Sequence, residues 1–254
     1  MQQYFAKNKN LELEESDYHH IKNVMRMKTG DLIKIVYDNI FYTCKLSVNK
    51  NVDIEVLNEE QKENNKVKII SAFSLIKEQK LDYLLQKGTE VGIDHFIPIN
   101  TKRSIIKIDN KKDNKKKERW TRILKEASEQ SFRSNIPVIE NVLELSDLIK
   151  IEADLKLICS LNEKTENIKK VLEKNNKYDT ILIVTGPEGG FELNEEKKLM
   201  ENGFIPVSLG NNVLRAETAP IVCASMINYE FMRWVLWKSY LLIYLILLIT
   251  FMII

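Results

Sequence analysis

The sequence predicts an α/β protein: a mainly parallel sheet with helices on both faces, preceded by a small β-rich domain. Three observations predict it. Up to about Asn65 the chain is a series of short segments rich in β-branched and aromatic residues. From Lys68 onward, apolar runs alternate with amphipathic helical patterns, which is the signature of strand–helix–strand units. One of those runs, Ile181–Val184, leads directly into the glycine cluster "TGPEGG", as a central strand leads into a ligand-binding turn.

Taken in order, "DLIKIVYDNIFYTCKLSV" is two strands broken at Asp38-Asn39, a dipeptide suited to a hairpin turn. "NVDIEVLNEE" continues with period-two alternation at Val52, Ile54 and Val56. "KENNKVK" is a polar joint, so the expected domains are 1–67 and 68–230, with an apolar tail at 231–254. In the second domain the candidate strands are Ile69–Leu75, Phe96–Ile99, Leu155–Ser160, Ile181–Val184 and Pro206–Leu209. Between them, Leu81, Leu84, Leu85 and Val91 share one helical face. Trp120, Ile123, Leu124, Ala127 and Ser131 share another, leaving Arg119, Arg122, Lys125 and Glu126 outside. Asn194 is expected to cap the helix after the glycine turn, and Thr218 the last helix, with Pro220 in its first turn.

Composition narrows the function. The formal net charge is only +2, so no polyanionic partner follows from the total. The charge is unevenly spread: Lys102 to Arg122 holds ten Lys/Arg against three Asp/Glu, and the rest of the chain is net acidic. That window suits an RNA-facing surface and equally a solvated loop. The three cysteines, Cys44, Cys159 and Cys223, are far apart and form neither a disulfide framework nor a zinc motif, which fits a reducing cytoplasm. Three histidines in the whole chain argue against a histidine-ligated metal enzyme, and the N-terminal segment carries no secretory signal.

The turn Thr185-Gly186-Pro187-Glu188-Gly189-Gly190 is unsuited to phosphate. No Lys-Ser/Thr follows the glycines, Pro187 removes an amide donor, and Glu188 would repel an anion. A phosphate-free nucleoside or a cationic ligand fits better. A second turn, "PVSLGNNVLRAETAP", places Arg215 and Glu217 just before a helix start.

"GPEGGF" at Gly186–Phe191 together with "LGNNVLRAETAP" at Leu209–Pro220 resembles the paired signature of the SPOUT (SpoU–TrmD) methyltransferases. Within them the chain resembles the ribosomal RNA small-subunit methyltransferase E family, supported by "HHIKNVMRMKTGD", "KGTEVGIDHFIPINTKRS" and "ERWTRILKEASEQSFRSNIPVI", up to about Tyr229. The resemblance implies a trefoil-knotted parallel sheet preceded by a PUA-like β-barrel that positions RNA. It implies S-adenosylmethionine as methyl donor without a metal, 16S rRNA of the small ribosomal subunit as substrate, a cytoplasmic location and a homodimer. The reaction implied is methylation of a uridine at N3. Another SPOUT RNA methyltransferase, acting on tRNA or on a ribose 2′-hydroxyl, and a non-catalytic RNA-binding protein of the same fold are the alternatives.

By the same resemblance, the cofactor contacts are expected at Thr185, Gly186, Glu188, Gly189, Gly190, Leu209, Gly210, Val213 and Leu214. Uracil N3 carries a proton and must lose it to become nucleophilic, so the site needs a base and a cation facing the flanking carbonyls. Arg215, Arg133 and Arg103 are the candidate cations; Glu188 and Glu217 are the candidate bases, or else partners that hold an arginine in place. RNA contacts are expected from His20, Arg26, Lys102, Arg103 and Arg133, with His19, Lys22 and Lys28 nearby. One departure from the family pattern is Asn212, where a basic residue is usual. The tail "WVLWKSYLLIYLILLITFMII" has no family counterpart and holds one charge, Lys238. It reads as a membrane anchor, a helix packed on a dimer, or an out-of-frame extension, the last being favoured.

Overall fold

The computed structural model describes residues 1–61, 67–106, 114–163, 165–174 and 177–231. The polar joint at 62–66, residues 107–113 of the basic window and the apolar tail from residue 232 lie outside the described residues. Among those described, no helix is long and apolar enough to cross a membrane. Contacts divide the chain into two compact units, Met1–Asn65 with Thr121–Pro137, and Lys66–Trp120 with Val138–Ile254. The segment 121–137, kept with the second domain in the sequence reading, thus groups with the first unit.

In the first unit, β1 (Gln2–Phe5), β2 (Leu32–Tyr37), β3 (Ile40–Val48) and β4 (Val52–Gln61) form one sheet in that order. β1 runs parallel to β2, and the remaining pairs are antiparallel. Asp38 and Asn39 take φ of 48° and 62°, the two left-handed residues of a tight hairpin turn. The register shifts at Thr43/Cys44, where Cys44 faces Val56 and Thr43 faces Asn58, so Leu57 is the extra residue of a bulge. Beyond Ile54 the expected alternation is lost, and Val56 is exposed. Helix α1 (Glu15–His19) starts with a reciprocal capping box between Glu14 and Asp17 and continues into a π-helical turn, His20–Val24. Tyr4, Leu13, Ile21, Ile33, Ile35, Cys44 and Leu46 form the core of this unit.

The second unit holds a seven-stranded sheet. Its members are β5 (Lys68–Ser74), β6 (His95–Asn100), β7 (Val138–Ile139), β8 (Leu143–Glu144), β9 (Leu155–Cys159), β10 (Thr180–Thr185) and β11 (Ile205–Val207). The order is β11-β9-β10-β5-β6-β7, with β8 also on β6, and every pair is parallel. Alternation along the strands sends Ile70, Ala72, Ile97, Ile99, Leu182 and Val184 to one face, against Leu148 of α4 (Leu145–Leu148) and Leu199 of α6 (Leu193–Glu201). On the other face, Gly88 of α2 (Glu78–Glu90) lies against the Phe96 ring. The last helix among the described residues, α7 (218–231), reaches the end of α2 through Asn228, whose side-chain amide donates to the Val91 carbonyl. Helices therefore cover both faces, as expected of a parallel sheet whose strands read as continuous apolar runs. Between β9 and β10 lies α5 (Ile168–Glu173), capped by the Asn167 side chain.

Several boundaries differ from expectation. Helix α6 is capped by Glu192 rather than Asn194, because Glu192 and Glu195 form a capping box that closes two residues earlier. β11 stops at Val207; Ser208 makes only an isolated bridge to Asn167, and its amide donates to the Glu166 carbonyl. Thr218 already lies inside α7. Helix α3 (Asn114–Gln130) buries Trp120, Leu124 and Ala127 as predicted, but Lys125 is not on the solvent face. Its ammonium sits 2.5 Å from Asp17 Oδ1 and 3.0 Å from Glu129 Oε1, two carboxylates that make the burial of a lysine tolerable.

Candidate active site

Three strands, β9, β10 and β11, present their carboxyl ends side by side, and two adjoining cavities open there. The first, of about 370 Å³, is lined by the 185–191 turn, by Cys159–Asn162 after β9, and by 213–216 before α7. The second, of about 460 Å³, shares Ser160, Leu161, Val213 and Leu214 and adds Ser208–Asn212. Among the residues expected to meet the cofactor, Thr185, Gly186, Glu188, Gly189, Gly190, Val213 and Leu214 line the first cavity. Leu209 and Gly210 line the second, together with Asn212. Residues from two loops distant in sequence thus meet at one edge of the sheet, where open α/β sheets bind ligands.

The turn after β10 is shaped by its glycines. Gly190 takes φ of +68° and its amide donates to the Pro187 carbonyl, closing a turn that a side chain at this position would strain. A Cβ at Gly186 would come within 3.2 Å of the Phe191 ring, so the backbone there packs directly against that ring. Beneath it, a chain of buried hydroxyls ties three strand ends together. Ser74 Oγ, at the end of β5, donates to the Thr185 carbonyl (3.2 Å), and Thr101 Oγ1 donates to Ser74 Oγ (3.1 Å) and lies 2.8 Å from Ser104 Oγ. Thr101 and Ser104 bracket Lys102 and Arg103, so this chain fixes the loop bearing both cations. The Lys102 amide donates to Glu195 Oε1 (2.8 Å), and the Arg103 guanidinium donates to the Gly189 carbonyl (2.8 Å).

Arg215 is exposed at the cavity wall, while its carbonyl accepts from the amides of Thr218 and Ala219 and so starts α7. Glu217 beside it is buried, with Oε2 making no hydrogen bond. Glu188 is differently placed. Its Oε1 accepts from the Lys80 ammonium at 2.8 Å, and this bond holds its carboxyl below the ordinary range. Among the expected partners of Glu188 an arginine is replaced by a lysine, and an anion so stabilised is a weaker proton acceptor.

Lys80 lines the first cavity and was missed by the sequence reading. It stands one turn into α2, and its partners are 108 residues or more away, so no local motif pointed to it. The pocket lining by Ser160 and Asn162 was also missed; Asn162 donates to Glu196 Oε2 at 2.9 Å.

Arg133 belongs to the first unit and is not among the side chains that line either cavity. There its carbonyl accepts from the Gln3 side chain at 2.8 Å and its guanidinium reaches Asn135 at 3.3 Å. His20 and Arg26 lie in the same unit. Tyr4 Oη is 2.9 Å from His20 Nδ1, and Arg26 is exposed with φ of +50°. His95, in the second unit, pairs with Glu140 at 2.9 Å, and no cluster suited to a metal ion occurs among the described residues.

A family model described as RNA methyltransferase domain matches residues 62–228, and one described as RNA methyltransferase PUA domain matches residues 13–57. The ribosomal RNA small subunit methyltransferase E of Bacillus subtilis is 36% identical over 248 residues, covering 91% of this chain and 97% of the relative. That of Rickettsia conorii is 31% identical over 229 residues, covering 88% and 91%. The crystal structure of the Neisseria gonorrhoeae protein of the same name, bound to S-adenosyl methionine, matches with a TM-score of 0.81 at 26% identity over 91% of this chain and 98% of that one. An α/β fold, a two-loop cavity at its strand ends and relatives of this identity along nearly the whole length agree: the chain belongs to the ribosomal RNA small subunit methyltransferase E family.

Proposed function

We propose that this protein transfers a methyl group from S-adenosylmethionine to N3 of a uridine in 16S rRNA of the small ribosomal subunit. The observation that carries the reading is the cavity formed by the 185–191 and 209–216 loops, with Arg103 and Arg215 on its walls and the buried carboxylate of Glu217 at the start of the helix that follows. The residues fit the donor. Thr185 Oγ1 is buried on the cavity wall without a hydrogen-bond partner, ready for a polar group of a ligand. Leu161, Val213 and Leu214 offer apolar surface to a purine ring. Glu188 and Glu217 favour a positive ligand over a phosphate.

When bound, S-adenosylmethionine supplies an electrophilic methyl carried on a positive sulfonium. Glu217, buried and not consumed by a hydrogen bond at Oε2, accepts the N3 proton of the uracil. Arg215 and Arg103 face the negative charge that spreads over the flanking carbonyl oxygens. N3 then takes the methyl as the carbon–sulfur bond breaks, and the negative and positive charges disappear together.

Residues 1–67 serve as the RNA-holding domain and 68–230 as the catalytic one. His20, Arg26 and Arg133 supply RNA contacts from the first unit, and Lys102 and Arg103 from the second, mostly to phosphate. Resemblance to the superfamily supports a knotted C-terminal segment, a homodimer and a cytoplasmic location. Incubation with S-adenosylmethionine and either small subunits or free 16S rRNA, followed by nucleoside mass spectrometry, is expected to yield 3-methyluridine. Appearance of a 2′-O-methyl nucleoside instead would make the protein a ribose methyltransferase. No product, with no calorimetric heat on adding the donor, would leave a non-catalytic RNA binder.

A further inference from the structure

We propose that Lys80 is a positioning residue that pins the two loops of the cavity to each other through their carboxylates. The inference deepens the methyltransferase reading and rests on it for its consequence, not for its geometry. Lys80 Nζ lies 2.8 Å from Glu188 Oε1 in the 185–191 turn and 3.7 Å from Glu217 Oε2, the residue before α7. One ammonium therefore spans two loops that meet nowhere else in sequence, and its side chain lines the cavity they enclose.

A second observation is independent of those distances. Lys80 is the third residue of α2, its amide bonded to the carbonyl of the cap residue Lys77. A cation in the first turn of a helix opposes the positive end of the helix dipole, so this placement is locally unfavourable. Residues that break a local rule are expected where a site requires them. The requirement here is electrostatic. Glu188 and Glu217 both lie within 3.7 Å of one ammonium, and without a cation between them the two carboxylates would repel. With the two glutamates present, the Lys80 ammonium is held charged, chiefly through its hydrogen bond to Glu188, and the same bond holds the Glu188 carboxyl below the ordinary carboxylate range. The pairing also sorts the two carboxylates. Glu188 accepts a direct hydrogen bond from the ammonium, whereas Glu217 feels the same charge only at the longer distance and keeps its buried oxygen free of hydrogen bonds. Arg215 adds a like charge that offsets a small part of the attraction of the two carboxylates for Lys80.

The test is hydrogen exchange by mass spectrometry on the ligand-free full chain, comparing wild type with Lys80→Met and Lys80→Arg. Lys80→Met is expected to speed exchange about tenfold in peptides over both loops, as loss of a charge-assisted hydrogen bond implies, and Lys80→Arg to restore most of the protection. Glu188→Gln should produce the same change in the 213–217 peptide without touching it, and adding Lys80→Met to it should add little. In a second arm, calorimetry with S-adenosylmethionine should show about tenfold weaker binding by Lys80→Met, with the acid limb of binding moved to higher pH because Glu188 loses its partner. Unchanged exchange in both loops on Lys80→Met, or full additivity of the double variant, overturns the pin. A wild type that binds no S-adenosylmethionine while the exchange arm behaves as expected refutes the methyltransferase reading and leaves the pin standing. Should Lys80→Met fail to fold, Lys80→Arg and Glu188→Gln carry the comparison alone.

Discussion

Arg215 shows how differently residues two apart can be anchored. Its backbone starts α7 while its side chain stays exposed at the cavity wall, so Arg215→Ala should leave the fold intact and abolish methyl transfer. Circular dichroism and single-turnover assays on the same sample check both halves, and near-normal turnover would remove Arg215 from the mechanism. Glu129 makes a prediction of another kind. Burial, only partly offset by Lys125, pushes its carboxyl from 4.5 up to about 7. A carboxyl raised on folding binds its proton more tightly in the native state. Its stabilising effect is complete below its ordinary value and is lost as pH climbs through that value toward the folded one. The wild type should therefore lose on the order of 3 kcal/mol between about pH 4.5 and 7 from this group, a slope that Glu129→Gln flattens in denaturant titrations. Glycines and charges of the two loops were legible from sequence because each motif is local. Lys80 was not, because the pairing that gives it meaning joins residues 108 positions apart.

At the scale of elements, apolar periodicity was a good guide wherever burial alone decides. Leu81, Leu84 and Leu85 are buried as the α2 pattern required, each contributing about 1.5–3 kcal/mol. Gly88 on the same helix is the exception that packing explains. A Cβ there would approach the Phe96 ring to 2.9 Å and Ile93 Cδ1 to 3.0 Å. Gly88→Ala should cost about 1–3 kcal/mol by overpacking, reduced by up to about 1 kcal/mol through the helix preference of alanine. A drop in the denaturant midpoint at unchanged slope is the expected result, and a stabilised variant would show that the ring moves freely. Ends of elements were less legible. Asn194 has good capping chemistry, but the reciprocal pair Glu192 and Glu195 satisfies two amides at once, and Glu195 also binds the Lys102 amide. Lys125 reads as a solvent-facing residue on a helical wheel and is nonetheless half-buried, because Asp17 arrives from another element.

For the whole molecule, a formal charge of +2 gives little long-range attraction for RNA, so association must depend on where the charges sit. Lys115 and Lys116 are exposed at the start of α3, and Lys117 reaches Asn141 at 3.1 Å. Changing all three to Glu should weaken RNA binding and flatten its salt dependence, read from filter-binding at several salt concentrations. An unchanged slope would make the run a solvated helix start. The longer strands, the hairpin at Asp38-Asn39, the alternation of strands and helices and the two ligand loops were determined by sequence alone, since each depends on neighbours within a few residues, whereas the short strands β1, β7 and β8 were not. Only the tertiary structure decided the order β11-β9-β10-β5-β6-β7, the insertion of β10 between β9 and β5, and hence the meeting of both loops with Lys80. The reason is physical: parallel strands are joined by long crossovers, so which strand ends become neighbours depends on how the whole apolar surface is buried, and no local pattern encodes it.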